Sequence, residues 1–398
     1  MAFDLIIIGA GLSGLFAGCL AARRGKKTLI LARGVGATHV GTGTIDVCKG
    51  QLDSLISVSN HPYNLVGRKV IQSALSEFQS ICDDGGYPMH GELGKNFSLP
   101  TAAGGQRQTC LVPETMLAGD LSKPDPFALA NLPGFRDFNA ALANSSLQSP
   151  KSPVVTLPRP HATSHRDSYA TDLALLFDLP GYRDDVVAAW KPLLQNAPKR
   201  LGLPAILGLE KSLDAKDHLE KQLGVQLFEI PILPPSVPGM RLFNLLRDDF
   251  QNHGGRLIIG PTVRGDISDG QASISADMNG RETSYKSDLI FLATGGFLNG
   301  GLVAEFNGQI REPVFNLPIE APTTRSAWTS ERFLDPQPYA KFGVAVNKQL
   351  QPLNAQAKPI ASNLRVIGSI LANSDRLSEG SREGIELATA WRAVETVV

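Results

Sequence analysis

Residues 3–33, FDLIIIGAGLSGLFAGCLAARRGKKTLILAR, constrain this chain more than any other stretch. An apolar strand at 5–8 runs into Gly9, Ala10, Gly11, Leu12, Ser13 and Gly14, then a helix, Gly25, and a second apolar strand at 28–31. This is the G-x-G-x-x-G spacing of a βαβ nucleotide-binding opening. Gly9 permits the tight turn, Gly11 lets backbone approach a phosphate, and Gly14 lets the helix pack on the strand. The free N–H groups of the helix start, from Leu12 and Ser13 onward, then make an anion site that the helix dipole reinforces.

One feature departs from the usual dinucleotide pattern. Such sites place Asp or Glu at the end of the second strand to hold a ribose hydroxyl. Here Ala32, Arg33 and Gly34 stand instead. Arg33 is a donor and suits a phosphate better than a ribose. The cofactor is therefore not plain NAD, and FAD and FMN both stay open.

A chain of 398 residues exceeds one simple core and fits two intertwined domains. Its 38 basic and 38 acidic residues cancel, so nothing argues for nucleic acid. Cys19, Cys48, Cys82 and Cys110 form no C-x-x-C pair and have no His at ligand spacing. Neither a disulfide framework nor a metal or iron–sulfur site is expected, and a reducing cytoplasm is the natural home. His161 and His165, among prolines, make a poor metal pair. The apolar run at 5–22 follows Asp4 rather than a basic region and is broken by glycines, unlike a signal peptide. No other stretch reaches membrane-spanning length, so membrane attachment would come through a partner.

After the second strand, small residues run through His39, Gly41, Thr42, Gly43 and Thr44, where a chain could pass a flat ring and donate hydrogen bonds to flavin or phosphate. Residues 51–70 read as loop, and 70–81 carries helical spacing. Short strands and turns are expected over 87–112, with Arg107 on a strand, and little signal over 114–160. Helices are expected at 171–177, 184–194, 217–223 and 240–253, with strands at 228–232 and 256–259 and then a hairpin. A buried strand at 288–293 ends in Thr294, Gly295 and Gly296, repeating the opening logic far along the chain. A last strand exits at Gly368. Gly380, Ser381 and Arg382 lead into a closing helix, which Ser381 can cap and whose start can face a flavin.

Two glycine-terminated strands this far apart imply a discontinuous nucleotide domain. The expected fold is α/β: a two-domain, FAD/NAD(P)-binding Rossmann-like flavoprotein. Residues 1–80 and 225–398 would bind flavin, and 81–224 would form an inserted α+β cap domain.

The stretches FDLIIIGAGLSGL, the ARG turn with THVGTGTID, LPPSVPGMRLFNLL, LATGGFLNGGLVAEFNG, IREPV and PQPYAKFGV together resemble the B subunit of the anaerobic glycerol-3-phosphate dehydrogenases. They span most of the chain and thin out between about 50 and 225. The family carries a glycine- and cysteine-rich turn before its last helix, where this chain has SEGSREG at 378–384.

The resemblance implies a flavin subunit of a glycerol-3-phosphate dehydrogenase (quinone), FMN-binding, with FAD as the alternative. It would pair with a larger FAD-containing subunit and dock to a membrane-associated iron–sulfur subunit, the A and C components of such complexes, at the cytoplasmic membrane. The complex would oxidise glycerol 3-phosphate to dihydroxyacetone phosphate and pass electrons to quinone, ultimately to fumarate or nitrate. His39, Arg107 and Arg311 are the candidates for proton and phosphate work if substrate binds here. Otherwise the FAD-containing subunit does the chemistry and this chain relays electrons. Two further readings stand beside it: an independent fumarate-reductase-type flavoenzyme acting on another small anion, and a non-catalytic flavin-binding assembly subunit.

Overall fold

The computed structural model describes residues 2–147, 152–161 and 168–397; His165 lies outside them. The chain divides into two compact units. One comprises the chain up to Ala37, Asp46–Cys82 and the chain from Phe243 onward, and the other Thr38–Ile45 and Asp83–Leu242.

The first unit is built on a sheet that begins with β1 (Ala2–Ile8), joined through α1 (Leu12–Arg23) to β2 (Thr28–Ala32). Residues 5–8 and the whole of β2 are buried, as expected of apolar runs in a covered parallel sheet. Every residue of α1 from Leu12 to Ala22 is buried, so this helix is apolar all round rather than amphipathic. β3 (Arg256–Ile259) adds in parallel to β2. A meander follows: β4 (Thr262–Ser268), β5 (Gln271–Met278) and β6 (Arg281–Leu292). The exposed first half of β6 pairs antiparallel with β5, and its second half turns apolar and runs parallel to β1, with Ile8 opposite Leu292. β7 (Leu364–Val366) closes the other side of β6.

The parallel order is thus β3-β2-β1-β6-β7. The chain winds outward from β1 through β2 to β3, then returns to the opposite side of β1. The crevice between the carboxyl ends of β1 and β6 is therefore a topological switch point, where open α/β sheets bind ligands.

Helix α2 (Arg68–Asp84) buries Val70, Ile71, Ala74, Leu75 and Phe78 at the spacing read from the sequence. Residues 51–70 are not simply loop. They hold two five-residue helices, Leu52–Ile56 and Pro62–Val66. The second starts where His61 Nδ1 accepts the Tyr63 N–H at 3.1 Å and Pro62 supplies a preset first turn. Segments this short carry too few turns for periodicity to register. Helix α3 (Val237–Asn252) begins three residues earlier than its apolar pattern. Pro238 fits its first turn because it removes an N–H that would have no helical partner. Helix α4 (Arg382–Val397) packs against α1.

The second unit contains a four-stranded, all-parallel sheet ordered Gln226–Ile230, Arg200–Pro204, Phe127–Asn131, Val154–Thr156. Its core includes Phe127, Phe177, Trp190 and Phe228. The strand Gln226–Ile230 is an integral part of this sheet, so the unit extends to Leu242 rather than ending at 224. A buried ion pair completes it: Arg241 donates to both carboxylate oxygens of Glu229, at 2.5 and 2.9 Å, and through Nε to the Gly208 carbonyl at 2.7 Å.

Candidate functional site

The two glycine-terminated strands meet. Gly9 has φ +118°, and a Cβ there would run into the Ala293 carbonyl at the end of β6. A Cβ on Gly14 would collide with the Gly9 carbonyl, so both positions require glycine for close approach. A Cβ on Gly11, by contrast, would stand in open space. Gly11 is also the N-cap of α1 and offers no side-chain cap, and no acidic residue occupies the first turn. The amides of this twelve-residue helix start are left for an anion.

Three further segments converge here. A Cβ on Gly368, after β7, would meet the Ser13 hydroxyl, and the Gly368 N–H donates to Thr389 on α4 at 2.9 Å. A Cβ on Gly296 would lie 3.3 Å from both Nη2 of Arg376 and the Ser369 carbonyl. Thr294, between Ala293 and the glycine pair, has a buried hydroxyl with no hydrogen-bond partner. An orphaned hydroxyl beside an uncapped helix start and an open glycine is what a phosphate- and ring-bearing cofactor would complete. The donor set fits a flavin nucleotide.

Behind this cradle, charges are matched rather than bare. Burial pulls the Arg376 guanidinium below its ordinary value, while Glu386, Glu379 and Asp375 pull it back. Glu383 beside Arg382 holds that guanidinium above its ordinary value, and Arg382 Nε donates to Glu383 at 2.7 Å. Burial pushes the Glu386 carboxyl up against the opposing pull of Arg382 and of the Ser369 hydroxyl that donates to it. Burial also pushes on Glu379, but hydrogen bonds from His61, Ser381 and the Asp375 amide outweigh it and leave this carboxyl below its usual range.

The structure brings together Gly9, Gly11, Leu12, Ser13, Gly14, Thr294, Gly295, Gly296 and Gly368. Arg33 is exposed just beyond β2, whose last residue, Ala32, is buried. Gly380 is left-handed at φ +63° and packs on the Lys49 stem. The Ser381 hydroxyl donates to Glu379 at 2.7 Å, one link in the Glu379–His61 network. Arg311 lies on a two-stranded ribbon and pairs with Glu305 at 3.1 Å, largely in solvent. Its neighbour Glu312 is buried and accepts the amides of Val314 and Phe315.

His39, Gly41, Thr42, Gly43 and Thr44 belong to the second unit, as does Arg107. The Ser236 N–H donates to the His39 carbonyl at 2.9 Å, and the Thr42 and Thr44 hydroxyls share a 2.7 Å hydrogen bond. Arg107 is two residues before Thr109, whose hydroxyl donates to the Ile45 carbonyl at 3.1 Å, so its strand leads to this segment. Sequence reasoning missed Arg376, Ser369 and Glu386. Only Ser369 carried a signal, standing directly after the strand-ending Gly368.

A family model described as an FAD binding domain matches residues 4–381. A relative from Yersinia enterocolitica is 31% identical over all of this chain and 98% of its own length. Another, from Pectobacterium atrosepticum, is 29% identical over all of this chain and 99% of its own. Both are named as the B subunit of anaerobic glycerol-3-phosphate dehydrogenase. Among solved structures, a 3-ketosteroid delta1-dehydrogenase from Sterolibacterium denitrificans aligns with 10% identity and a TM-score of 0.48, covering all of this chain and 99% of that one. The chain belongs to the family of anaerobic glycerol-3-phosphate dehydrogenase B subunits, within the FAD-binding-domain flavoproteins.

Proposed function

We propose that this flavin oxidoreductase chain is the electron-relaying subunit of a complex that oxidises glycerol 3-phosphate to dihydroxyacetone phosphate and delivers the electrons to quinone. The observation that carries the flavin reading is the meeting of the Gly9–Gly14 turn with Ala293 and the unsatisfied Thr294 hydroxyl at a switch point. A bound flavin supplies the two-electron redox chemistry. The chain's own part is to bind and orient it. The α1 amides hold the phosphate, Gly11 leaves room for the approach, and Thr294 offers a hydroxyl to the cofactor.

The relay role is supported by the charge pattern. Oxidising a phosphate ester needs cations for its phosphate and a base for its hydroxyl proton. Around the cradle, Arg376 and Arg382 each face carboxylates, and on a separate two-stranded ribbon Arg311 pairs with Glu305. Substrate oxidation then belongs to the larger FAD-containing subunit, with the iron–sulfur subunit carrying electrons onward at the cytoplasmic face of the membrane. No helix among the described residues is long and apolar enough to cross a membrane.

The absence of a carboxylate after Leu31, with Ala32 buried and Arg33 exposed, favours FMN over FAD. Heat release of the chromophore from the purified chain, followed by chromatography, is expected to yield the mononucleotide. FAD in the released fraction would overturn the FMN assignment. A colourless protein that takes up neither flavin would overturn the function itself.

A further inference from the structure

The two arginines at the cradle are placed differently. Arg382 is spent: its Nε donates to Glu383 at 2.7 Å, and its Nη2 pairs with the same carboxylate oxygen. Arg376 is half-buried and makes no ion pair among the described residues. Its one hydrogen bond there runs from Nη1 to the Leu371 carbonyl, at a long 3.4 Å. A guanidinium carries several N–H donors, and donors taken out of water ordinarily find partners. The carboxylates nearby are engaged elsewhere. Glu379 accepts the Asp375 N–H at 2.9 Å and the Ser381 hydroxyl at 2.7 Å. Asp375 accepts the Ser378 N–H at 3.2 Å, and Glu386 accepts the Ser369 hydroxyl. The open fork of Arg376 faces the turn after β6, where Nη2 lies 3.3 Å from the position of a Gly296 Cβ.

This cation is also held in place. Arg376 opens a helix of only four residues, Arg376–Glu379, too short to be stable by itself. Groups from outside fix it. His61 is 1% exposed and accepts the Tyr63 N–H on Nδ1, so its proton sits on Nε2, 3.2 Å from Glu379. The Lys49 amide and amine donate to the Glu379 and Leu377 carbonyls, at 2.8 and 2.7 Å. A charge fixed in advance is the kind that acts on chemistry beside it.

A bound flavin presents two places for such a charge. Its phosphate has the α1 amides, and Arg376 reaches not α1 but the turn three residues past Ala293. Its ring gains one negative charge on taking up two electrons and one proton. A cation beside the ring favours that reduced form. An electron relay must be easier to reduce than the centre that feeds it, so this charge has a use here.

We infer that, given the flavin role proposed for this chain, Arg376 is the cation that faces the ring of the bound flavin and raises its reduction potential.

The test is redox titration of the full-length, flavin-loaded chain against a reference dye, at fixed pH and ionic strength. Wild type is compared with Arg376→Gln, Arg376→Lys and Arg264→Gln. Arg264 is an exposed arginine on β4, and its loss removes the same charge from the same unit. Flavin content and thermal midpoint are measured on every sample. Arg376→Gln is expected to weaken reduction at least about tenfold, a fall of about 30 mV for a two-electron couple. Arg376→Lys keeps the charge and is expected to weaken it less than about threefold. Arg264→Gln is expected to match wild type. Arg376→Met, uncharged and of similar length, takes the place of Arg376→Gln if the latter does not fold. A wild-type potential in Arg376→Gln overturns the inference. An equal fall in Arg376→Lys or in Arg264→Gln does so too, because fit or net charge would then be the cause. So does a folded Arg376→Gln chain that no longer retains flavin, since the cation would then serve binding. A wild-type chain that takes up no flavin would instead refute the proposed function, and this role with it.

Discussion

Glu386 shows how one carboxyl ties the cofactor cradle to the stability of the chain. It accepts the Ser369 hydroxyl, one residue after Gly368, and burial pushes its carboxyl above the usual range. The folded chain therefore holds that proton more tightly than the unfolded chain does. Stability is unaffected below the unfolded value, about 4.3, and falls as pH rises from there through the folded value. Glu386→Gln keeps an acceptor for Ser369 and cannot ionise. At matched flavin content, its urea midpoint is expected to equal wild type near pH 4 and to exceed it at pH 8. Equal midpoints at both pH values would mean that Glu386 ionises freely in the fold. The same scale explains the fate of the sequence-read residues. Gly9 and Gly14 were legible because their reason is local: one turn, one close approach. Arg376 was not, because an arginine in a polar stretch carries no mark of facing Gly296, a position 80 residues earlier in the chain.

At the scale of elements, the apolar runs 5–8, 28–31 and 290–292 announced buried parallel strands because both of their faces are covered. Helices α2 and α3 announced themselves through spacing. Phe250 of α3 is fully buried, and its ring lies 3.1 Å from where Gly18 of α1 would carry a Cβ. That contact lets two helices approach closely beside β2. Phe250→Ala leaves a cavity there and is expected to cost about 3–5 kcal/mol, read as a fall in the urea midpoint at unchanged slope. A loss below about 1 kcal/mol would show that the helices close over the gap. The strands Phe127–Asn131 and Arg200–Pro204 left a weaker trace. Each is five residues long, and Gly202 and Pro204 dilute the apolar run of the second.

At the scale of the whole molecule, the relay reading separates binding from turnover. The purified, flavin-loaded chain is expected to bleach fully with dithionite, yet to oxidise glycerol 3-phosphate at under about 1% of the rate of the assembled complex. That fraction corresponds to a barrier difference of roughly 2.7 kcal/mol. Full turnover by the isolated chain would place substrate oxidation on it and return His39, Arg107 and Arg311 to candidacy.

The amino-acid order alone determined that a nucleotide turn opens the chain, that a second glycine-ended strand stands far along it, and that no carboxylate follows β2. These are matters of spacing within a single turn or strand. Only tertiary structure decided that Gly9 meets Ala293, that Gly368 and Arg376 join the cradle, and that 38–45 belongs with the second unit. Those contacts link segments tens to hundreds of residues apart. Strand register and side-chain packing bring them together, and neither has a local signature for the sequence to carry.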